Sequence, residues 1–358
     1  MKRLVLFFFA LLFISPAPAQ AAGNSIWIAT PANRNYVGEI TNKDFEKSLA
    51  PTGDLGKLVF QPVARPRTWI MDAALLEDVQ FLAAKNSTLA TNWLNQIKKE
   101  TSRDTIYATA YGNPDVIYLN SLAPTELNFY YAVGLQHLQA VLLKNVSSEK
   151  GSGYAWRRAK IDSELRQFFN ATRQEFTLLS TAVNPKEVET DRARIAQLFS
   201  PLLSTDQRDA LLKDYRLGQS NVIKKLRIVS GRYQITTSNE KIPVTLVNDF
   251  NSSVKVDLYF TPLNNRVIFP QYRQITLNAK SKIQVSVPIK TIAAGDTTVI
   301  ARFENGKGKV IGAKGIIELS STIISPAVSR FTTGAGLLLI LAAVAQSVRR
   351  VRKSRAEK

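Results

Sequence analysis

The chain has 358 residues, of which 47 are Lys or Arg and 28 are Asp or Glu, and it contains no cysteine. Without cysteine, the protein has neither disulfide bonds nor thiolate metal sites. Its net charge of +19 favours an anionic environment, such as a membrane surface or a wall polymer. Because no basic motif with interleaved aromatic residues accompanies this charge, we expect no nucleic-acid partner.

The N-terminus has the pattern of a signal peptide. Two basic residues precede an apolar run over residues 4–14, which is too short to span a bilayer. Small residues follow in two Ala-x-Ala patterns, so we expect cleavage after Ala19 or Ala21. We therefore predict a signal peptide over residues 1–21 and export of the chain. An uncleaved anchor is the alternative.

The next region alternates short apolar runs with amphipathic stretches, as α/β proteins do. Its last part, residues 155–227, carries apolar side chains at helical spacing, and a capping box at residues 204–207 begins one of the helices. We predict an α/β domain over residues 25–230, a partial or degraded barrel with parallel strands and a helical C-terminal part. Strands are expected at residues 25–29, 58–63, 68–71 and 105–111, and helices at 72–85 and 89–99.

Residues 231–322 consist almost entirely of alternating apolar and polar runs separated by turns. Turn residues at 278–281 and at 305–308 separate neighbouring runs. About seven short strands in such a length are typical of an immunoglobulin-like β-sandwich. We predict a sandwich domain over residues 231–322, which serves as a spacer unless it also binds a partner.

An uncharged, mostly apolar stretch follows the β-rich region. Residues 331–348 carry no charge, and Ile323 and Ile324 extend the stretch toward the length that a bilayer requires. We predict a transmembrane helix over residues 325–348 and a basic cytoplasmic tail over 349–358, because basic residues beside a membrane helix stay inside the cell. The protein is then a single-pass protein of a bacterial cell membrane, in contact with lipid and largely extracytoplasmic. The predicted flanking residues are Arg330, Arg349, Arg350, Arg352 and Lys353.

Several segments together resemble one protein family. Residues 69–76 (WIMDAALL) are similar to its W-x-x-D-P-x-L-L segment. Trp93 and Leu94, followed by residues 110–116 (AYGNPDV), resemble its W-L … P-Y-x-D-P-D-V pattern, and residues 242–248 (IPVTLVN) resemble a motif of its sandwich domain. The chain thus resembles an actinobacterial family of membrane-anchored extracytoplasmic proteins of unknown function. Members of this family are commonly encoded beside the flippase for lipid-linked murein precursors.

The resemblance implies location and partners more than chemistry, because the family has no established activity. It implies a partner among the wall-synthesis membrane proteins, or the wall glycan. The sequence departs from the family pattern in two ways. Typical members are longer and begin with an additional sandwich domain, and the proline of the first Asp-Pro pair is Ala73 here.

Asp72 and Asp115 are the sharpest candidates for chemistry. Each follows a predicted strand, at the edge where α/β proteins build their sites. Two converging carboxylates act as acid and nucleophile or base on a glycosidic bond when they lie about 5–5.5 Å or about 6.5–9.5 Å apart. In that case Trp69, Tyr111 and Asn113 line a sugar subsite. The structural alternative is that Asp72 caps a helix and that Asp115 belongs to an ordinary turn.

His137 is the single histidine and lies in an apolar helical context. Without cysteine or a second histidine, a zinc site needs an unusual all-carboxylate set, so we expect no metal. A Ser-His-Asp triad is not expected either, because no G-x-S-x-G turn is present. We expect His137 to be structural, and we predict no cofactor.

These observations predict a non-enzymatic cell-envelope protein that binds a protein partner or a glycan near the wall-synthesis machinery. The alternative is a glycan-active hydrolase or a deacetylase-like enzyme that uses Asp72 and Asp115. One geometric property separates the two hypotheses. Carboxylates that lie more than about 10 Å apart, or that are buried as helix caps, do not suit acid–base work on a glycosidic bond.

Overall fold

The structure is a computed structural model that describes residues 24–148, 158–322 and 326–356. The predicted signal peptide, residues 1–21, lies outside the described residues. The chain divides into two compact units. The first comprises Met1–Lys160 and Ala193–Asp209, and the second comprises Ile161–Arg192 and Ala210–Lys358.

The first unit contains short parallel strands connected by helices. The strands are β1 (Asn24–Ile28), β2 (Arg67–Met71), β3 (Thr105–Ala108) and β4 (Ser147–Ser148). The helices are α1 (Phe45–Ser48), α2 (Asp54–Phe60), α3 (Ala73–Ala84), α4 (Thr88–Glu100), α5 (Val116–Leu122) and α6 (Pro124–Leu142). The four strands pair in the order β1–β2–β3–β4, and every pair is parallel.

Burial explains why the strands of the first unit read as nearly continuous apolar runs. Trp69 and Met71 of β2 are fully buried, as parallel strands covered by helices on both faces require. Trp93 of α4 is also fully buried, and its indole nitrogen donates to the carbonyl of Leu55 at 3.0 Å, which joins α4 to α2. Among the described residues, β1 and β4 do not pair with each other. The sheet is therefore open, and the predicted barrel is wrong.

The remaining elements follow the last strand of the first unit in the chain. The helices are α7 (Ser163–Leu179), α8 (Lys186–Arg194), α9 (Thr205–Lys224) and α10 (Pro326–Ala356). The strands are β5 (Leu226–Ile228), β6 (Gly231–Ile235), β7 (Asn239–Asn248), β8 (Val254–Pro262), β9 (Val267–Ile268), β10 (Tyr272–Leu277), β11 (Ser281–Thr291), β12 (Gly295–Glu304) and β13 (Val310–Ser321).

The described strands of the second unit form one curled sheet. Their order is β10–β8–β12–β13–β5–β7–β11–β9, and β6 pairs beside β13. The short strand β5 pairs with both β13 and β7, so it joins the two halves of the sheet. Inward-facing residues alternate with exposed ones along β7 and β11, and the buried set includes Val244, Leu246 and Val287. This alternation buries one face of the sheet in the core and leaves the other exposed.

The predicted transmembrane helix is corrected by the structure. One helix, α10, continues from Pro326 to Ala356 and includes the predicted tail through residue 356. In the described part of the chain, no helix is long and apolar enough to cross a membrane. The unbroken apolar run of α10, residues 337–345, is about 14 Å long at 1.5 Å per residue, whereas the hydrocarbon core of a bilayer is about 30 Å thick.

The prediction of a membrane span over residues 325–348, and the single-pass localisation that rested on it, are therefore wrong. Residue 325 lies outside the described residues, and the rest of the predicted span is the first part of α10. The basic residues that were expected to flank a span are instead positions of this same helix. They are Arg330, Arg349, Arg350, Arg352 and Lys353.

Candidate functional site

The predicted site residues of the first unit follow the C-terminal ends of its parallel strands. Strand β2 ends at Met71, directly before Asp72, and β3 ends at Ala108, before the turn that carries Tyr111 and Asn113. The C-terminal edge of a parallel sheet is where open α/β folds bind their ligands. A ligand site of the first unit is therefore expected among the polar groups of this edge.

Asp72 is the N-cap of α3. Its Oδ1 accepts hydrogen bonds from the backbone N–H of Ala74 at 3.0 Å and of Gly112 at 2.8 Å, and the residue is 2% exposed. Gly112 has φ of +77°, a left-handed conformation that glycine adopts without strain. Burial raises the pKa of Asp72 to about 7; the two N–H groups oppose the rise, and the charges of Asp78 and Glu77 add to it. Asp72 thus joins the start of α3 to the turn after β3.

Asp115 is the N-cap of α5. Its Oδ1 accepts from the backbone N–H of Tyr118 at 2.9 Å, and its Oδ2 accepts from that of Ala159 at 3.1 Å. The guanidinium of Arg158 lies 3.4 Å from Oδ1, and Asp115 is 5% exposed. The backbone N–H of Asp115 in turn donates to the carbonyl of Phe199 at 2.8 Å. Both oxygens of this carboxylate therefore bind neighbouring backbone, as in the structural alternative for an N-cap.

Tyr111 belongs to a hydrogen-bonded group that the sequence did not indicate. Its hydroxyl donates to Oε2 of Glu77 at 2.6 Å, and Oε1 of Glu77 is paired with Nδ1 of His137. The rings of Tyr111 and His137 meet edge to face, with centroids 5.7 Å apart. Burial and the negative charge of Glu77 raise the pKa of Tyr111 well above its usual range. The carboxylate of Glu77 on α3 thus connects His137 of α6 with Tyr111 in the turn after β3.

A second buried carboxylate, Asp78, lies beside this group on α3. Its Oδ1 pairs with Nε of Arg34 at 2.5 Å, and its Oδ2 accepts from the side chain of Asn33 at 3.4 Å. Burial raises the pKa of Asp78, while the positive charges of Arg34 and Arg194 oppose the rise. Arg194 also donates to the carbonyl of Asn35 at 3.0 Å. An acidic pair inside an otherwise apolar helix was the one sequence signal for these contacts.

Trp69 is not part of this edge. Its indole nitrogen donates to Oδ2 of Asp104 at 2.8 Å, and the same oxygen pairs with Nε of Arg67 at 2.6 Å. Asp104 directly precedes β3, so these contacts lie toward the N-terminal end of the sheet. The indole of Trp69 therefore binds at the N-terminal end of the sheet, whereas Tyr111 lies in the turn after β3.

Asn113 is a turn residue with φ of +44° and is 1% exposed. Its backbone N–H donates to the carbonyl of Ala110 at 2.9 Å. Its side-chain nitrogen has no hydrogen-bond partner among the described residues. Helix α6 approaches this turn closely, because a Cβ at Gly134 would lie 2.5 Å from the carbonyl oxygen of Thr109. The backbone of α6 therefore packs directly against this turn, in which Asn113 is buried.

No cluster of His, Cys, Asp or Glu in the described part of the chain is arranged to hold a metal ion. At the edge of the parallel sheet, each carboxylate is bound instead by protein groups. Asp72 accepts backbone N–H groups, Glu77 binds a hydroxyl and an imidazole, and Asp78 pairs with a guanidinium. The polar groups of this edge therefore serve mainly to hold α3, α6 and the turns together.

A different kind of edge exists in the second unit, along β11. One side of β11 pairs with β7 over residues 281–290, whereas β9 pairs with only the last two residues on the other side. The N–H of Thr291 donates to Ser238 on the β7 side, and the N–H of Ile292 donates to Arg266 on the β9 side. Because backbone groups alternate between the two sides of a strand, the even-numbered residues of β11 direct theirs away from β7.

Lys282, Gln284 and Ser286 therefore direct their N–H and C=O groups to the open side. Among the described residues, these groups have no hydrogen-bond partner. The prolines agree with this alternation. Pro288 lies at an even-numbered position of β11, and Pro243 of β7 is opposite Ser286, so neither position requires an N–H between β7 and β11.

A groove of about 770 Å³ lies at the β9 end of this open edge. Ile268, Phe269 and Pro270 contribute its apolar wall, and Ile268 is 52% exposed. Lys241 and Lys290 also line it. The groove lies where the open edge ends, because Pro288 and Lys290 of β11 line it and Lys290 pairs with Ile268 of β9.

Comparison with known proteins gives a family. The model of a family of unknown function (DUF6049) matches residues 134–356, which is more than half of the chain. None of the curated proteins matches this sequence.

Several solved structures are similar to about a quarter of this chain. WR4, an MSP family member from C. elegans, is 10% identical, with 28% of this chain and 99% of that chain covered and a TM-score of 0.22. The PapD-like domain 7 of human CEP192 is 13% identical, with 28% and 86% covered and a TM-score of 0.22. The CARDB domain of PF1109 from Pyrococcus furiosus is 11% identical, with 28% and 92% covered and a TM-score of 0.22. Nothing about activity follows from likenesses of this size.

Proposed function

Since the chain belongs to a family of unknown function (DUF6049), we propose a function from its own surfaces: it is a non-enzymatic protein that binds an extended, acidic segment of a protein partner along β11. The open side of β11 carries this proposal. Backbone N–H and C=O groups of Lys282, Gln284 and Ser286 face that side unused. An extended segment that adds to a sheet edge gains main-chain hydrogen bonds at each of these positions.

The charge of β11 favours an acidic partner. The side chains of Lys282 and Lys290 are exposed on this strand, and residues 231–322 contain 12 Lys or Arg against 6 Asp or Glu. Opposite charges on neighbouring strands stabilise their pairing, and like charges destabilise it. A second copy of the chain would bring its own lysines to the same edge. Lysine and proline on edge strands are also the residues that prevent self-association of sheets. The acidic segment of a different protein is therefore the better occupant.

The groove beside β9 adds selectivity to this edge. A segment that pairs with residues 282–286 and continues past Pro288 reaches the apolar wall formed by Ile268 and Phe269. A buried apolar anchor surrounded by polar contacts is the usual arrangement in protein interfaces. The partner segment is thus expected to combine acidic residues with one apolar residue near the end that meets Lys290.

The carboxylates of the first unit do not favour the enzymatic alternative. Asp72 and Asp115 are buried helix caps whose oxygens accept backbone N–H groups. A general acid or base needs an oxygen within hydrogen-bond reach of the substrate atom. Oδ1 of Asp72 and both oxygens of Asp115 are used in this way, and the two residues are almost fully buried, so a hydrolase that uses this pair is the weaker proposal.

The resemblance to actinobacterial proteins encoded beside a murein-precursor flippase suggests where such a partner is found. Wall-synthesis proteins with an exposed acidic segment are the first candidates.

Two synthetic peptides test the proposal. One alternates Glu with Val and Thr, and the other has Lys in place of each Glu. We expect the full chain to bind the acidic peptide and not the basic one, as measured by fluorescence anisotropy at low salt. Raising the salt concentration should weaken the complex, because the exposed lysines are screened.

Ser286→Pro removes one N–H from the open side, and Ser286→Ala keeps it. We expect the proline variant to bind the acidic peptide about tenfold more weakly and the alanine variant to bind as the wild type does. Thermal melting of both variants checks that the sheet is intact. Equal binding of the two peptides, or unchanged binding by a folded Ser286→Pro variant, would contradict the proposal.

A further inference from the structure

We infer that the first unit carries a second binding site, a groove on α4 that fits a neutral sugar chain. The groove has a volume of about 360 Å³, within the range of about 300–1,000 Å³ that small-molecule sites occupy. Leu89, Asn92, Gln96 and Lys99 line it from α4. Their spacing of three, four and three residues puts them on one face of the helix.

Side-chain amides dominate the polar part of this lining. Asn92, Asn95 and Gln96 each offer a carbonyl acceptor and an N–H₂ donor. In the described part of the chain, neither Asn92 nor Asn95 has a hydrogen-bond partner. Gln96 donates from Nε2 to Oε1 of Glu100 at 3.1 Å, which leaves its carbonyl oxygen as an acceptor. Hydroxyl groups both donate and accept, so a polyhydroxylated ligand matches these amides.

The opposite wall of the groove is apolar. Phe60, at the end of α2, and Pro51, in the turn before α2, form it, while Leu89 adds one apolar side chain on the α4 side. A pyranose ring presents its C–H groups on one face and its hydroxyls around the edge. A wall of aromatic and aliphatic groups facing a row of amides matches both parts of such a ring.

The charge of the lining favours a neutral ligand. Of the residues that line the groove, Lys99 alone is charged, and it is exposed at the rim. An exposed ion pair adds little to affinity, so an anionic substituent gains little there. The amides therefore determine which ligand binds.

The walls of this groove are held firmly before any ligand arrives. The buried face of α4 carries Trp93 and Ile97, and the indole nitrogen of Trp93 is bonded to Leu55 of α2. The amides thus project from a helix that is fixed to the segment carrying Phe60. Binding sites built on rigid elements lose less entropy when they bind.

Ligand-observed NMR with the full chain tests this site. The probes are maltotriose, which presents hydroxyls, and triacetylchitotriose, which adds amide groups, each at millimolar concentration. We expect saturation transfer to at least one of them. Asn92→Leu should weaken binding at least threefold, because one amide partner is lost. Gln96→Trp should abolish binding by filling the groove.

Asn120→Leu is the matched control, since Asn120 is an exposed amide on α5 and does not line the groove. It should bind as the wild type does, and so should Ser286→Pro, because the site does not depend on β11. Absence of transfer to both probes would overturn the inference. Equal binding by Asn92→Leu and wild type, or tighter binding of a charged trisaccharide of galacturonate, would overturn it too.

Discussion

The C-terminal edge of the parallel sheet and the open side of β11 differ in whether their polar groups have hydrogen-bond partners within the protein. At the sheet edge of the first unit, the carboxylates of Asp72, Glu77 and Asp78 all bind groups of the protein itself. Along β11, the backbone groups of Lys282 and Ser286 have no partner among the described residues.

The difference lies in burial. A buried carboxylate without partners costs several kcal/mol, so the first edge needs its internal contacts to fold. Backbone groups on an exposed strand are hydrated by water, which a partner segment can replace. The C-terminal edge of the parallel sheet, where α/β proteins commonly have their binding sites, is therefore structural in this protein. The open side of β11 is available for binding.

The alternation of β11 is tested most strongly by proline. Val285 is at an odd-numbered position opposite Val244 of β7, so its N–H belongs to the pairing between the two strands. We expect Val285→Pro to lower the free energy of unfolding by at least about 3 kcal/mol, and Ser286→Pro by less than about 1 kcal/mol. Urea denaturation measures both. Similar losses for the two variants would mean that the assignment of the open side is wrong.

The raised pKa of Asp72 predicts that stability depends on pH. The folded state keeps the proton of Asp72 up to about pH 7, whereas the unfolded chain releases it near 3.8. The stabilising contribution of Asp72 to the free energy of unfolding is thus fully present below pH 3.8 and is lost as the pH rises through about 7. At about 1.4 kcal/mol per pKa unit, we expect wild type to lose about 4 kcal/mol relative to Asp72→Asn over this range. Parallel stability curves for the two proteins would rule out the raised pKa.

Removal of the cap itself is expected to cost somewhat less. Asp72→Ala leaves the buried N–H groups of Ala74 and Gly112 without their acceptor, and we expect a loss of about 2 kcal/mol at pH 5. Asp72→Asn keeps an acceptor oxygen and should lose less than half as much at that pH. Denaturation of the three proteins side by side gives the comparison. An alanine variant as stable as the asparagine variant would argue against the cap.

The smallest effect is expected at the hydroxyl of Tyr111. Tyr111→Phe removes the hydrogen bond to Glu77 and keeps the ring contact with His137, so we expect a loss of about 1 kcal/mol. Tyr118→Phe is the control, because the Tyr118 ring stacks on Phe199 and its hydroxyl makes no hydrogen bond within the described residues. Thermal melting measures both variants. Equal melting temperatures would show that the hydrogen bond to Glu77 does not contribute to stability.

The sequence predicted local features of the first unit better than its contacts. Helical spacing and the strand runs indicated β2, β3, α3 and α4 close to their observed positions. Asp72 directly follows β2, Asp115 follows the turn after β3, and each is the N-cap of a helix. Pairing of Glu77 with His137 was not predicted, because the two residues are 60 positions apart and no local pattern joins them.

The membrane span illustrates how a composition-based prediction fails. The stretch before Arg349 is uncharged, but Thr, Gly, Gln and Ser interrupt it, and its purely apolar part is short. An uncharged window was therefore mistaken for a hydrophobic one. The structure continues α10 through the predicted tail and finds no spanning helix among the residues it describes.

Composition, charge and local periodicity follow from the chain alone, since neighbouring residues set backbone preferences and the alternation of buried and exposed faces. They were enough to indicate strands, helices and a basic β-rich region. Which side of β11 stays open, and which residue pairs with Glu77, depends on register and on contacts between distant segments. Those contacts form only when the chain folds, because packing and loop closure bring together residues that no sequence window contains.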